Sequence, residues 1–211
     1  MKGGRRVEIV LIRGREHYVD LVMGAIANAR VSLWIATANV KGLRVEAPVG
    51  SRARARGAYV SVLEIFDGLA ARGVELRLLH GGLPSRAFRD DLRAQKRRAA
   101  GALAMRRCPR VHLKMIAVDG ARLYLGSANF TGAGLGAKGD NRRNFEAGVL
   151  TDDDVMLDEM QGTFDAIWSG RECKGCALRA LCPAPIDALL AAPKTTAPLR
   201  SAPRSPKSTT R

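Results

Sequence analysis

The segment Val111-His112-Leu113-Lys114-Met115-Ile116-Ala117-Val118-Asp119-Gly120-Ala121-Arg122-Leu123-Tyr124-Leu125-Gly126-Ser127-Ala128-Asn129 decides how this chain is read. Two apolar runs, residues 111–118 and 121–125, flank Asp119-Gly120, a dipeptide that accepts the backbone angles of a tight hairpin turn. In a strand, residues two apart share a face, so His112 and Lys114 project together and place an imidazole and an ammonium in one pocket. The returning strand brings Ser127 and Asn129 back to the same end, where a hydroxyl and an amide can donate hydrogen bonds to a phosphoryl oxygen. The pattern predicts an anion site that holds a nucleophile.

Around this hairpin, strands and helices alternate. Residues 6–12 read as a strand and 15–30 as an amphipathic helix, with Val19, Val22, Met23 and Ile26 on one face. Residues 31–37 read as a β-branched strand. Residues 38–57 show no period, collect five Lys and Arg among Gly and Pro, and are expected to form a mobile basic loop. A helix over 58–72 stops at Gly73, a strand follows over 74–79, and Ser85 caps a third helix running to about residue 105. The polar positions of that helix carry Arg86, Arg89, Arg93, Lys96, Arg97 and Arg98, a face that could track a phosphate backbone. Residues 144–150 supply a further strand and 152–168 a helix with aspartates at its start. The alternation indicates an α/β fold, a sandwich layered around a mixed sheet.

The chain has 211 residues, enough for one catalytic domain, placed at 1–170. A Cys-rich segment follows at 171–192, and the Pro, Ser, Thr, Lys and Arg of 193–211 predict a disordered basic tail. The formal charge is +15, from 35 Lys and Arg against 20 Asp and Glu. That excess attracts polyanions, chiefly nucleic acid, with strong salt dependence. Apolar runs are too short for a membrane span or a signal-peptide core, so stable membrane insertion is not expected and the cytoplasm is the expected compartment. Aromatic residues are only 5% of the chain, which disfavours extensive stacking on unpaired bases.

His112, Lys114, Asp119, Gly126, Ser127 and Asn129 form the pattern HxKxxxxDxxxxxxGSxN, and the stretch resembles the signature of the phospholipase D superfamily. Residues 70–79 resemble the helix-to-strand segment before that signature, and Asn144-Phe145-Glu146 the Asn-x-Glu after it. The resemblance implies a phospholipase D-like α/β/α sandwich and a phosphodiesterase. One histidine attacks phosphorus to form a phosphohistidine and a second protonates the leaving oxygen. Lys114, Ser127 and Asn129 would bind the non-bridging oxygens. Glu146 would accept a hydrogen bond from the imidazole, Asp119 would be structural, and no metal ion is demanded for catalysis. The other histidines, His17 and His80, lack a Lys two residues on. A two-fold homodimer that shares one His112 from each protomer supplies the missing group, as in the small single-motif members. Such members are mostly nucleases, which favours nucleic acid, DNA before RNA, with Arg142 and Arg143 gripping flanking phosphates. A phospholipase D or phosphatidyltransferase acting on lipid head groups is the alternative.

Cys173, Cys176 and Cys182, with Cys108 from just before the catalytic strand, have the spacing of a metal site. Residues 173–183 also resemble the C-terminal cysteine motif that holds a [4Fe–4S] cluster in RecB-like nucleases. Structural zinc is the other expectation for these thiolates.

Overall fold

The computed structural model describes residues 6–47, 49–94 and 102–191. Seven strands form one mixed sheet in the order β1-β9-β8-β7-β2-β5-β6: β1 Ile9–Arg13, β2 Ser32–Thr37, β5 Glu75–His80, β6 Leu103–Arg107, β7 Lys114–Val118, β8 Arg122–Gly126 and β9 Ala147–Thr151. β2, β5 and β6 run parallel, whereas β1, β9, β8, β7 and β2 pair antiparallel in succession. A separate two-stranded sheet joins β3 Arg44–Glu46 to β4 Tyr59–Ser61.

Alternation along the strands builds two cores. Leu33, Ile35, Leu76, Leu78, Ile116 and Val118 face the π-helix His17–Ala25 and the helix Val62–Ala71, which bury Leu21, Val22, Phe66 and Leu69 against them. Ala36, Leu79, Met115, Ala117 and Leu123 face the helix Asp154–Trp168, which buries Leu157, Phe164 and Trp168. The result is the expected α/β/α sandwich. The two inner strands β2 and β7 are covered on both faces, which is why they read as continuous apolar runs.

Several boundaries differ from the sequence expectations. The third helix is described only as Arg86–Ala94, and the stretch expected to extend it to residue 105 instead enters the sheet as β6, where Leu76↔Leu103 and Leu78↔Met105 pair. Ser85 does cap it, its hydroxyl accepting from the Phe88 amide at 3.3 Å. Lys96, Arg97 and Arg98, and the tail 193–211, lie outside the described residues. The expected loop 38–57 contains β3 and the short helix Arg52–Ala55, and buries Leu43, Val45 and Ala47. The helix expected from residue 58 starts at Val62, because Tyr59–Ser61 pairs with β3 and Ser61 turns the chain into the helix. His112 lies just before β7, which begins at Lys114 rather than Val111.

The Asp119-Gly120 turn is as expected, with positive φ at both residues and the Ala121 amide donating to the Val118 carbonyl at 3.0 Å. Among the described residues no helix is long and apolar enough to cross a membrane.

Candidate active site

The ends of four strands deliver the site. β7 begins with Lys114, paired with Thr37 at the end of β2, while Gly126 ends β8 opposite Gly148 of β9. His112 precedes β7, Ser127 follows β8, and Glu146 precedes β9, so all three side chains emerge from the same edge of the sheet.

The His112 side chain is exposed, and the Lys114 ammonium Nζ lies 3.0 Å from its Nδ1, 3.3 Å from its Nε2 and 2.8 Å from its carbonyl oxygen. Imidazole and ammonium therefore share one pocket. The Asn129 side-chain oxygen accepts from the Asn39 amide at 3.1 Å and lies 3.3 Å from the Thr37 hydroxyl. With its oxygen held by the end of β2, Asn129 keeps its NH2 as the free donor for an anion. The Ser127 hydroxyl donates to the Glu146 carboxylate, whose other oxygen accepts from the Asn144 amide at 3.0 Å. Glu146 is thus bonded to Ser127 and Asn144 rather than to His112, and among the described residues no hydrogen bond joins it to that imidazole.

Beneath this edge lies a support the sequence reading did not assign. Tyr124 is fully buried, its ring packed across Gly126 and Gly148. A Cβ on Gly126 would overlap the Tyr124 phenol and come within 2.7 Å of the Ala147 carbonyl, which explains why the signature needs glycine there. The phenol oxygen lies 3.0 Å from His17 Nε2 and accepts from the Ala128 amide at 3.4 Å. His17 Nδ1 sits 3.2 Å from the Gly14 carbonyl, which can only accept, so Nδ1 carries the proton and Nε2 accepts from Tyr124. Burial pushes the His17 imidazole below its ordinary range and the Tyr124 phenol up to about 12. Both are neutral props of the Ser127–Asn129 turn.

Asp119 stands at the opposite end of β7, about 17 Å beyond Lys114 at roughly 3.3 Å per residue. Its carboxylate accepts from the backbone amides of Arg30 at 2.9 Å, Val31 at 2.7 Å and Ser32 at 3.0 Å. Burial alone would raise this carboxyl, but the three amides outweigh it and hold it below its ordinary value. It fastens the start of β2 to the β7–β8 hairpin.

A groove of about 770 Å³ opens beside Ser127 and Glu146, lined also by Arg13, Arg143 and Phe145. Arg143 is ion-paired with Asp140 and its side chain is only 16% exposed, whereas Arg142 is exposed on the turn Asp140–Arg142. Phe145 is fully exposed at the rim of this groove.

The cysteines gather elsewhere. Cys108, Cys173, Cys176 and Cys182 are free thiols that line one small cavity of about 30 Å³, so Cys108 does reach the Cys-rich segment. Burial pushes the Cys108 thiol up, and neighbouring Cys173 and Cys182 act in the same direction. As the side chains stand, no three His, Cys, Asp or Glu among the described residues are grouped to hold a single metal ion.

Residues 22–168 match the family described as "Cardiolipin synthase, PLD-like domain". No curated protein matches the chain. Among solved structures it is similar to Nuc, a phospholipase D family member from Salmonella typhimurium, with 18% identity and a TM-score of 0.54, over 78% of this chain and 95% of that one. It is also similar to NucT from Helicobacter pylori, with 16% identity and a TM-score of 0.50, over 76% of this chain and 94% of that one. The sheet, the signature at its edge and the family match over more than half of its length agree: the chain belongs to the phospholipase D-like domain family and is a phosphodiesterase of that superfamily.

Proposed function

We propose that this phosphodiesterase hydrolyses nucleic acid, DNA before RNA, through a phosphohistidine on His112, in a site shared by two protomers. The observation that carries this reading is the exposed His112, with Lys114 Nζ 3.0 Å away and one such pair per chain. His112 attacks phosphorus, a P–N bond forms, and the P–O bond to the leaving group breaks. The leaving oxygen takes a proton from a second histidine, and water then displaces His112 as that second histidine removes the water's proton. Lys114 and the free NH2 of Asn129 hold the non-bridging oxygens, Ser127 joins them once its hydroxyl turns from Glu146 to the phosphoryl group, and no metal ion is required.

His17 cannot be the second histidine, since both its nitrogens are engaged and it is buried, and His80 is buried as well. A two-fold partner supplies it. Phe145, fully exposed at the rim of the site, is the apolar contact such a partner would cover. Glu146, held by Ser127 and Asn144, faces the groove where the partner's imidazole would need an acceptor. The +15 charge favours a polyanionic substrate, with Arg13 and Arg143 lining the groove and the exposed Arg142 next to Arg143 in sequence for flanking phosphates. Four free thiols fit a reducing, cytoplasmic setting.

The test is cleavage of plasmid DNA and labelled RNA in excess EDTA by wild type and His112→Ala, beside a phosphatidylcholine control. Metal-free cleavage of nucleic acid that vanishes in the variant is expected. Head-group release from the lipid alone would establish the phosphatidyltransferase alternative instead. Mixing wild type with excess His112→Ala should depress activity beyond dilution, because each mixed dimer holds one nucleophile; a proportional loss would sink the shared site.

A further inference from the structure

We propose that the β3–β4 arm is a second grip on the substrate, in which Arg52 and Arg56 hold the sugar–phosphate backbone of nucleic acid away from the bond that is cleaved. The proposal rests on the nucleic-acid reading of the site and adds to it a surface separate from the groove beside Ser127.

The arm is rooted in the phosphoryl pocket. Asn39, whose amide holds Asn129, is followed by Val40, which bridges to Phe130, and by Lys41, whose amide donates to the Phe130 carbonyl at 3.1 Å. The chain then runs out through β3 and returns through β4, with Leu43, Val45 and Ala47 buried beneath. A second connection starts at the groove. Arg15, next to Gly14 of its lining, sets its guanidinium 5.2 Å from the centre of the Tyr18 ring, and the Tyr18 hydroxyl accepts from the Glu46 amide in β3 at 2.8 Å. Groove, Arg15 and arm are thus joined contact by contact.

Charge is divided by role within the arm. Residues 38–61 carry five cations, Lys41, Arg44, Arg52, Arg54 and Arg56, against one acid, Glu46. Glu46 pairs with Arg54 and so ties the short helix Arg52–Ala55 to β3, while Arg44 reaches Asp91 at 3.8 Å. Arg52 and Arg56 are exposed and have no carboxylate partner among the described residues. The Arg56 amide donates to the Arg52 carbonyl at 3.3 Å, so the two side chains leave one turn four residues apart, on the same side. Like charges at that spacing repel, and an anion bound between them removes the repulsion.

Val49, three residues before Arg52, is 92% exposed, and Tyr59, three after Arg56, is 57% exposed. Apolar groups flanking a pair of cations match a backbone in which sugars alternate with phosphates. An anionic lipid surface would attract the same charge, but binding there uses an apolar helix face, and the arm offers two separate side chains on a turn and a strand. A nucleic-acid strand carries a phosphate about every 3.4 Å of duplex axis, so one strand leaving the pocket can engage both arginines.

The test measures binding of a duplex of about 30 base pairs by the full chain carrying His112→Ala, which keeps the DNA whole, across a range of salt concentrations. Adding Arg52→Ala and Arg56→Ala is expected to weaken binding about tenfold or more at low salt and to reduce the slope of log K against log salt by about two. Arg52→Lys with Arg56→Lys should restore the slope. Arg30→Ala with Arg122→Ala, beside Asp119 at the opposite end of β7, removes as much charge and should change the slope by less than about half a unit. An unchanged slope in the arm variant, a slope that lysine does not restore, or an equal loss in the Arg30 and Arg122 variant overturns the proposal. Arm-dependent binding to vesicles of phosphatidylcholine and phosphatidylglycerol, with DNA binding unaltered, overturns it as well. All of these leave DNA cleavage by wild type standing, whereas a wild type that neither binds nor cleaves nucleic acid fails the reading of the site itself and the arm with it.

Discussion

The phenol oxygen of Tyr124 lies 3.0 Å from Nε2 of His17, under the turn that carries Ser127 and Asn129. Tyr124→Phe removes the donor to a buried imidazole and the acceptor of the Ala128 amide, leaving both unpaired. We expect a loss of about 1–3 kcal/mol, read as a lower denaturant midpoint at unchanged slope. An unaltered midpoint would show that the hydroxyl supports nothing.

Gly126→Ala places a methyl group against the Tyr124 ring and the Ala147 carbonyl. Overpacking of this kind costs about 1–3 kcal/mol. Because the neighbouring β8–β9 pair holds Ser127 and Glu146 together, the variant should also lose activity per folded molecule. Differential scanning calorimetry beside a cleavage assay separates the two effects.

Acid should weaken the fold in a defined window. His17 and His80 are buried, and burial pushes both imidazoles below the ordinary value of 6.5. Above that value they are neutral in both states and add no pH dependence. Below it the unfolded chain binds protons that the folded chain refuses, so stability falls as pH drops from about 6.5 toward the folded values. Denaturant midpoints at about pH 7.5 and about pH 5.5 check this, and His80→Gln should flatten the difference.

Asp119→Ala should separate stability from chemistry. The carboxylate holds three backbone amides far from His112, and charged hydrogen bonds of this kind contribute about 1.5–3 kcal/mol in total for a partly exposed group. The variant should melt earlier yet keep kcat/KM at temperatures where it is folded. Since the folded carboxyl is depressed, wild type alone should lose this contribution as pH falls below about 3.8.

Asn129→Asp keeps an oxygen for the Asn39 amide but replaces the free NH2 with an acceptor. A negative charge in the phosphoryl pocket should lower kcat by about a hundredfold or more, with little change in melting temperature. Equal kcat in variant and wild type would remove Asn129 from the site.

The site and the sheet were legible to different degrees. His112, Lys114, Ser127 and Asn129 could be grouped from spacing because hairpin geometry alone brings them to one edge. The sandwich followed from alternation, since each strand is long enough to show its period. The sequence extends the third helix into the start of β6 because the preceding residues carry the arginine spacing of a helical face, while the pairing of β6 with β5 is a tertiary effect that local propensity does not encode. β3 and β4 have three residues each, too few to show a period. Tyr124 and His17 could not be joined in advance, being 107 residues apart and linked only by burial. The bonding of Glu146 to Ser127 and Asn144 likewise depends on the β8–β9 register.

The pairing of β1 with β9, from Ile9↔Thr151 to Arg13↔Ala147, also governs when the enzyme comes into being. On the ribosome β1 emerges long before β9, its sheet neighbour among the described residues, and until then its backbone N–H and C=O groups have no ladder partner. Closing so large a span is slow, and a newly made chain passes through a stage in which an apolar edge is open to other chains. Since β9 also positions the residues beside Ser127, a product that stops short of it lacks the bonds that Glu146 and Ala147 make to that serine. The sheet edge thus stays unpaired until the chain has been made through Thr151.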